Sequence, residues 1–321
     1  MEPADRPSNG LVSLVMPVWR PRRDWLRQAV DAALAHRDCE IELIVVDDGS
    51  PAPVADLLSD VDDPRLRLLR IEHGGPAPAR NAGVAAARGA YLRFIDADDE
   101  VVPESTARLV ELVGGRDDVI AYGATVFCDQ DLKPLWRMTS RVKGDAVEAC
   151  LLGRFTTRPP AFLFPRRVIE RTGTWDSEFP ASGDWDFILR ALEHGTVRGT
   201  TEVAARYRRH GGGLTANADA GERGARMVVD RYFERHPEQR GSRLHERADA
   251  RLAAHTGRVQ AMHGRRRHGL RTMVSAARRD PGAVSAEVTQ AVPAIKGVVR
   301  RLLRRLGAGA SPAGSGGAPG P

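Results

Sequence analysis

Asp96, Asp98 and Asp99 place three carboxylates within four positions, interrupted only by Ala97. Like charges this close repel, so the cluster is costly unless a cation or hydrogen-bond donors compensate it. Hard carboxylate oxygens suit Mg²⁺ or Mn²⁺, and Mg²⁺ commonly binds through one or two carboxylates plus the phosphates of a substrate. The chemistry on offer is therefore the grip of a metal–diphosphate; the alternative is an acidic turn, because Asp is a common turn residue. A second acidic pair, Asp47-Asp48, runs into Gly49-Ser50.

These carboxylates need elements that deliver them. The run Gly89-Ala90-Tyr91-Leu92-Arg93-Phe94-Ile95 reads as a strand ending at Asp96. Residues 11–18 form a short apolar run suited to a buried strand, and residues 24–36 carry Trp25, Leu26, Ala29, Val30, Ala33 and Leu34 at helical spacing. Ile41-Glu42-Leu43-Ile44-Val45-Val46 is a further strand, ending in Asp47-Asp48. Strand, helix, strand is the signature of a parallel sheet, in which ligands bind beyond the carboxyl ends of the strands. Both acidic clusters sit at such ends.

Five segments together resemble a known family. Val15-Met16-Pro17-Val18, Val46-Asp47-Asp48-Gly49-Ser50, Ala79-Arg80-Asn81-Ala82-Gly83, Phe94-Ile95-Asp96-Ala97-Asp98-Asp99 and Ser182-Gly183-Asp184-Trp185-Asp186-Phe187-Ile188-Leu189-Arg190 are similar to family 2 glycosyltransferases of the GT-A fold. The resemblance covers about residues 11–210. It implies an α/β fold with a Rossmann-like, mixed, mostly parallel sheet flanked by helices. It also implies transfer of a sugar from a nucleotide diphosphate to an acceptor hydroxyl, with inversion at the anomeric carbon. The donor would be a UDP-, GDP- or dTDP-sugar, and the acceptor a sugar, a lipid-linked group or another hydroxyl in cell-surface polysaccharide, glycolipid or glycoconjugate synthesis.

The resemblance implies roles residue by residue. Pro17, Val18 and Trp19 would lie along the donor, with the Trp19 ring near the nucleobase; the family often has Asn after this aromatic, where this chain has Arg20. Asp47 or Asp48 would accept hydrogen bonds from the base, since an ionised carboxylate is acceptor-only. Arg80 and Asn81 would open a helix over 79–88 after the loop 74–78, where free N–H groups and the helix dipole favour a diphosphate. Asp96 would face the ribose, beside Ala97, and Asp98 would bind the Mg²⁺ or Mn²⁺ that bridges the diphosphate. Asp184 would be the base that takes the acceptor's proton. The family usually has Glu before this Asp; Gly183 stands here, which leaves Asp184 and Asp186 both open as the base and leaves Asp184 open as the cap of the helix that follows. Trp175 and Trp185 would flank the acceptor pocket or fill the core, and His210 would touch phosphate or metal or belong to a loop.

Composition bounds the rest. The 321 residues are 42% hydrophobic, ample for a core, and suggest one large domain with an appendage. Cys39, Cys128 and Cys150 have no CxxC spacing, a sparse and odd set that points to reduced thiols and a cytoplasmic protein. No run approaches the ~20 apolar residues that span a bilayer. Net charge is +6, with three lysines (Lys133, Lys143 and Lys296) among 48 basic residues. Residues 1–10 read as a flexible leader, 11–100 as the nucleotide-sugar half and 101–215 as the acceptor half of the catalytic domain. Residues 216–306 read as a helical basic extension, and 307–321 as a disordered tail. Within 298–306, Val298, Val299, Leu302, Leu303 and Leu306 oppose four arginines at helical spacing, which suits peripheral contact with an anionic membrane. A homodimer is a further expectation for the extension. Two rival enzymatic or binding readings are a nucleotidyltransferase, whose Gly-rich triphosphate loop is missing from Pro17-Val18-Trp19-Arg20-Pro21, and an inactive nucleotide-sugar-binding relative. A specific nucleic-acid partner is not expected, because carboxylates at a rim repel phosphate.

Overall fold

The computed structural model describes residues 10–179, 181–210, 218–262 and 266–284. The expected basic helix at 298–306, the tail from Gly307 and the leader before Gly10 lie outside the described residues. The apolar run near the start forms β1 (Val12–Val18), followed by α1 (Arg23–Leu34) and β2 (Ile41–Asp48). β1 is buried on both faces: Leu14 and Met16 join Leu26, Ala29 and Val30 of α1, whereas Val15 joins Val46 and Phe94 on the other side. Double-sided burial explains the unbroken apolar runs, as parallel sheets covered by helices require.

The chain continues through the short α2 (Val54–Leu57), β3 (Leu66–Ile71), α3 (Pro76–Ala86) and β4 (Tyr91–Phe94). β3, β2, β1 and β4 lie side by side in that order and all run parallel. The order turns back at β1, between β2 and β4, and a crevice at such a switch point is where open α/β sheets bind ligands. α3 packs so closely on β1 that a Cβ on Gly83 would stand 2.3 Å from Cγ1 of Val15, so only glycine fits there.

The second half adds β5 (Glu100–Val101), α4 (Pro103–Val113), β6 (Val119–Cys128), β7 (Pro134–Met138), α5 (Val147–Leu151), β8 (Phe162–Pro165), α6 (Arg166–Thr172), α7 (Gly183–Leu192) and β9 (Thr196–Arg208). β8 joins the halves, pairing antiparallel with β4 and with β6. β9 runs parallel to β6, and β5 and β7 pair antiparallel with β9 and β6. The sheet is thus mixed, parallel in its first four strands and mostly antiparallel beyond β4.

Beyond the sheet come α8 (Ala218–Arg235), α9 (Arg243–Met262) and α10 (Arg266–Arg279). Val228, Val229, Tyr232 and Phe233 of α8 share one apolar cluster with Phe187, Ile188 and Leu192 of α7. α8 is therefore anchored on the element that carries Asp184. Among the described residues no helix is long and apolar enough to cross a membrane.

Candidate active site

The parallel strands end together, and their register places Val18 opposite Asp47 and Asp48 opposite Ile71. The two neighbouring aspartates are held very differently from free ligands. Asp47 is buried and accepts from the amides of Ser50 (2.8 Å) and Val54 (3.1 Å) and from Nη1 of Arg70 (2.5 Å). Burial works against its charge, yet these donors outweigh it and hold the carboxyl below the usual range. Asp48 is 2% exposed and accepts from the amides of Gly74 (2.8 Å) and Gly75 (2.9 Å), with His73 Nδ1 at 2.9 Å. It clamps the loop that leads into α3. His73 in turn stacks on Trp19, ring centroids 4.7 Å apart and planes 12° apart, and Trp19 is 47% exposed at the rim.

α3 begins at Pro76, three residues earlier than the expected start at 79. Proline suits the first helical position because its missing N–H would have no partner there. The free amides expected to greet a diphosphate are correspondingly few. Pro76 and Pro78 have none, the amides of Gly74 and Gly75 go to Asp48, and Ala77 is the donor left between the prolines. Arg80 falls in the second turn. Its Nη2 donates to Asp96 (2.7 Å), and its guanidinium lies 4.5 Å from the Trp175 ring centre. Its Nε is buried without a partner among the described residues. Asn81 uses both ends of its amide on the Trp175 backbone, donating to the carbonyl (2.9 Å) and accepting from the N–H (2.8 Å).

Trp175 is thereby fixed in the core rather than on an open pocket wall: it is 3% exposed and stacks on Phe187 of α7 at 4.0 Å and 5°. Trp185 packs partly buried against the same apolar cluster. The contacts Asp96–Arg80–Trp175–Phe187 tie the first acidic cluster to α7, in whose first turn Asp184 sits. Asp184 is not the cap. Ser182 precedes the helix in the left-handed region (φ 66°), and Asp184 Oδ1 accepts from the neighbouring Trp185 amide (2.9 Å). Its Oδ2 lies 3.6 Å from Nη1 of Arg158, and its side chain is 26% exposed. Asp186, by contrast, is buried and paired with Arg190 at 2.7 Å, and Arg190 also donates to the carbonyls of Thr172 and Thr174.

The end of β9 crosses the same acidic cluster, at Asp98 and Asp99. The Arg208 amide donates to Asp99 (2.8 Å), its Nε to the Asp98 carbonyl (2.8 Å), and its Nη2 to Gln28 (2.8 Å). His210 Nε2 stands 2.8 Å from Asp98 Oδ2. Asp99 is buried with Oδ2 lacking a partner among the described residues, and desolvation, together with the charges of Asp98 and Asp96, pushes its carboxyl well above the ordinary range. Asp98 reaches solvent with 40% of its side chain, yet desolvation and the Asp96 charge raise its carboxyl too.

A divalent ion is tested against this donor set. Among the described residues no three His, Cys, Asp or Glu side chains are grouped to hold a metal, so these residues form no closed cage. Asp98 with its adjacent imidazole, beside an orphan buried oxygen of Asp99, matches an ion that completes its shell from substrate phosphates. Three residues escape sequence reasoning. His73 and Arg70 follow or belong to β3, whose Leu/Arg alternation (Leu66, Arg67, Leu68, Leu69, Arg70) was the signal that could have found them. Arg158 lies between β6 and β8 with no local pattern around it.

Comparison with known proteins bears on the family and the fold. The family model "Glycosyl transferase family 2" matches residues 13–173, half of the chain. The succinoglycan biosynthesis protein ExoO of Rhizobium meliloti (strain 1021) is 39% identical over 89 residues, covering 27% of this chain and 26% of the relative. The uncharacterized glycosyltransferase EpsJ of Bacillus subtilis (strain 168) is 35% identical over 103 residues, covering 32% of this chain and 30% of the relative. The chain thus spans a quarter to a third of these curated relatives. The crystal structure of S. aureus TarS 1–349 in complex with UDP-GlcNAc superposes with a TM-score of 0.56 at 13% identity, covering 84% of this chain and 92% of that one, a likeness of fold.

Proposed function

The chain belongs to glycosyl transferase family 2, and from that premise we propose that it moves a sugar from a nucleoside-diphosphate donor to an acceptor hydroxyl with inversion. The similarity to a succinoglycan biosynthesis protein favours an acceptor in polysaccharide synthesis. The observation that carries this reading is the path of contacts from Asp48 through the 73–75 loop and α3 to Arg80, Asp96, Trp175 and Phe187, ending beside Asp184.

In this reading the nucleobase lies against Trp19, on the face left open by His73. Asp48 acts through the loop it clamps, and Asp96, oriented by Arg80, faces the ribose. Asp98 and His210 would hold Mg²⁺ or Mn²⁺, and the ion would supply charge neutralisation to the diphosphate leaving group. Asp184 accepts the acceptor's proton as the new C–O bond forms. Its exposure, and a cation (Arg158) no nearer than 3.6 Å, favour it over Asp186, whose charge is committed to Arg190 at 2.7 Å. Arg158 keeps positive charge beside Asp184 while its guanidinium makes no tighter ion pair among the described residues. Peripheral contact with an anionic membrane is part of the proposal: α10 exposes Leu270 and Val274 among arginines and contains no acidic residue.

The test is product analysis with a panel of nucleotide-sugars. Release of nucleoside diphosphate, lost at least a hundredfold in Asp184→Asn without loss of donor affinity, supports the reading. Release of pyrophosphate would indicate nucleotidyl transfer, and binding without turnover an inactive relative.

A further inference from the structure

Three adjacent strands carry an aromatic row beside the catalytic cleft. Phe127 of β6 is the register partner of Trp136 on β7 and of Tyr207 on β9. The Trp136 and Phe127 rings stack at 4.7 Å with planes 8° apart, and Tyr207 leans on Phe127 at 5.2 Å. Cross-strand aromatic pairs stabilise a sheet, but core packing does not account for what lies on these. The Arg209 guanidinium sits 5.2 Å from the Trp136 ring centre, and that of Arg158 sits 5.0 Å from Tyr207 and 6.0 Å from Phe127.

Neither guanidinium is committed to a short ion pair among the described residues. Arg158 comes no nearer than 3.6 Å to Asp184, and Arg209 has no ion pair among the described residues. Lys133 and Arg137 on the same hairpin are exposed and likewise without an ion pair among the described residues. Asp129 at the hairpin turn is spent on the amides of Asp131 and Lys133. A guanidinium flattened on an aromatic ring keeps its edge free for planar, bidentate recognition of carboxylate or phosphate. The row leads to the cleft at both levels: Arg158 touches the Asp184 environment, and Arg208, next to Tyr207, donates to Asp99.

We infer that this row is the acceptor platform and that the acceptor is an anionic saccharide, one bearing a carboxylate or phosphate group. Its rings lie along the half-buried Tyr207 and Trp136, with buried Phe127 bracing both from β6; its negative group meets Arg209 or Arg158, and its reactive hydroxyl reaches Asp184. The inference rests on the donor and base assignments of the preceding section.

Calorimetry on the full chain, with nucleoside diphosphate and Mn²⁺ present, tests it with three probes of equal length: a galacturonic acid trimer, a phosphorylated maltotriose and neutral maltotriose. At least one acidic probe binds tenfold or more tightly than the neutral one, and the two acidic arms separate carboxylate from phosphate recognition. Trp136→Ala and the surface change Arg209→Gln each lower that affinity about tenfold and leave nucleoside diphosphate binding unchanged. Equal binding of acidic and neutral probes, no saccharide binding, or tighter binding of an oligothymidylate that displaces the acidic probe would each overturn the inference. Nucleoside diphosphate binding in the same samples separates this failure from that of the donor assignment: if it persists, only the acceptor inference falls.

Discussion

Replacing Asp48 by Asn separates a clamp from a ligand. The Asp48 carboxylate is 2% exposed and takes two backbone amides, of Gly74 at 2.8 Å and Gly75 at 2.9 Å, plus the His73 imidazole at 2.9 Å. An asparagine keeps one acceptor oxygen and turns an NH₂ toward a donor. One charge-assisted bond is lost, worth about 1.5–3 kcal/mol, and a buried donor is left without a partner, at about 1–3 kcal/mol. Because the two terms overlap, the expected destabilisation is about 3 kcal/mol. For a domain of this size that lowers the melting temperature by about 6–12 °C. The assay is a thermal melt without ligand, repeated as urea unfolding. Asp98→Asn serves as the control, because that side chain is 40% exposed and its expected change is under about 1 kcal/mol. Loosening of the 73–75 loop also disorders the His73–Trp19 stack, so nucleoside diphosphate affinity falls with stability in Asp48→Asn. If Asp48→Asn melts with the wild type while losing the nucleotide, the carboxylate is a direct base ligand and the clamp reasoning is wrong.

Other outcomes follow from buried charge. Arg93 is fully buried and donates to the carbonyls of Pro160 and Ala204 and to Ser105 and Thr106, without a carboxylate partner; burial pushes its pKa down to about 9. Arg93→Met strips donors from these acceptors and is expected to cost about 4 kcal/mol, read as a shift in urea midpoint; an unchanged midpoint contradicts this. His36 is buried between the Ala33 carbonyl and Thr106, and burial with the Arg93 charge pushes its pKa down to about 4, so it folds neutral. Its contribution is full above the unfolded value of about 6.5 and is lost as pH falls toward 4, about 3 kcal/mol in all. His36→Gln should flatten the stability curve over that window, and an unaltered slope would exclude His36 as its source. Asp186→Asn should lower stability through the loss of the Arg190 pair, yet keep more turnover than Asp184→Asn; the reverse ranking would move the base to Asp186.

How much of this was legible depends on where each signal lives. β1 and β2 read clearly because both faces are buried and the apolar runs are continuous. β3 does not, because it is an edge strand whose Arg67 and Arg70 reach back to Glu42 and Asp47. The α3 start was misplaced because Pro76 and Pro78 look like loop residues, although proline is at home in a first helical turn. The acidic residues were visible as types, but their partners were not. Asn81 binds the backbone of Trp175 and Arg158 approaches Asp184 across long stretches of chain, pairings that no local spacing encodes. The aromatic row is likewise a product of register between three strands rather than of any motif.

The central claim, that Asp98 anchors a metal-bridged nucleoside diphosphate at the switch point of the sheet, is tested most directly by thermal shift with UDP, GDP and dTDP, each with and without Mn²⁺, on wild type and Asp98→Ala. A ligand that binds only the folded state raises the melting temperature by mass action. The account predicts that one nucleotide stabilises the wild type only when Mn²⁺ is present and that Asp98→Ala abolishes that stabilisation. Stabilisation by no nucleotide, or equal stabilisation of the variant, would contradict it.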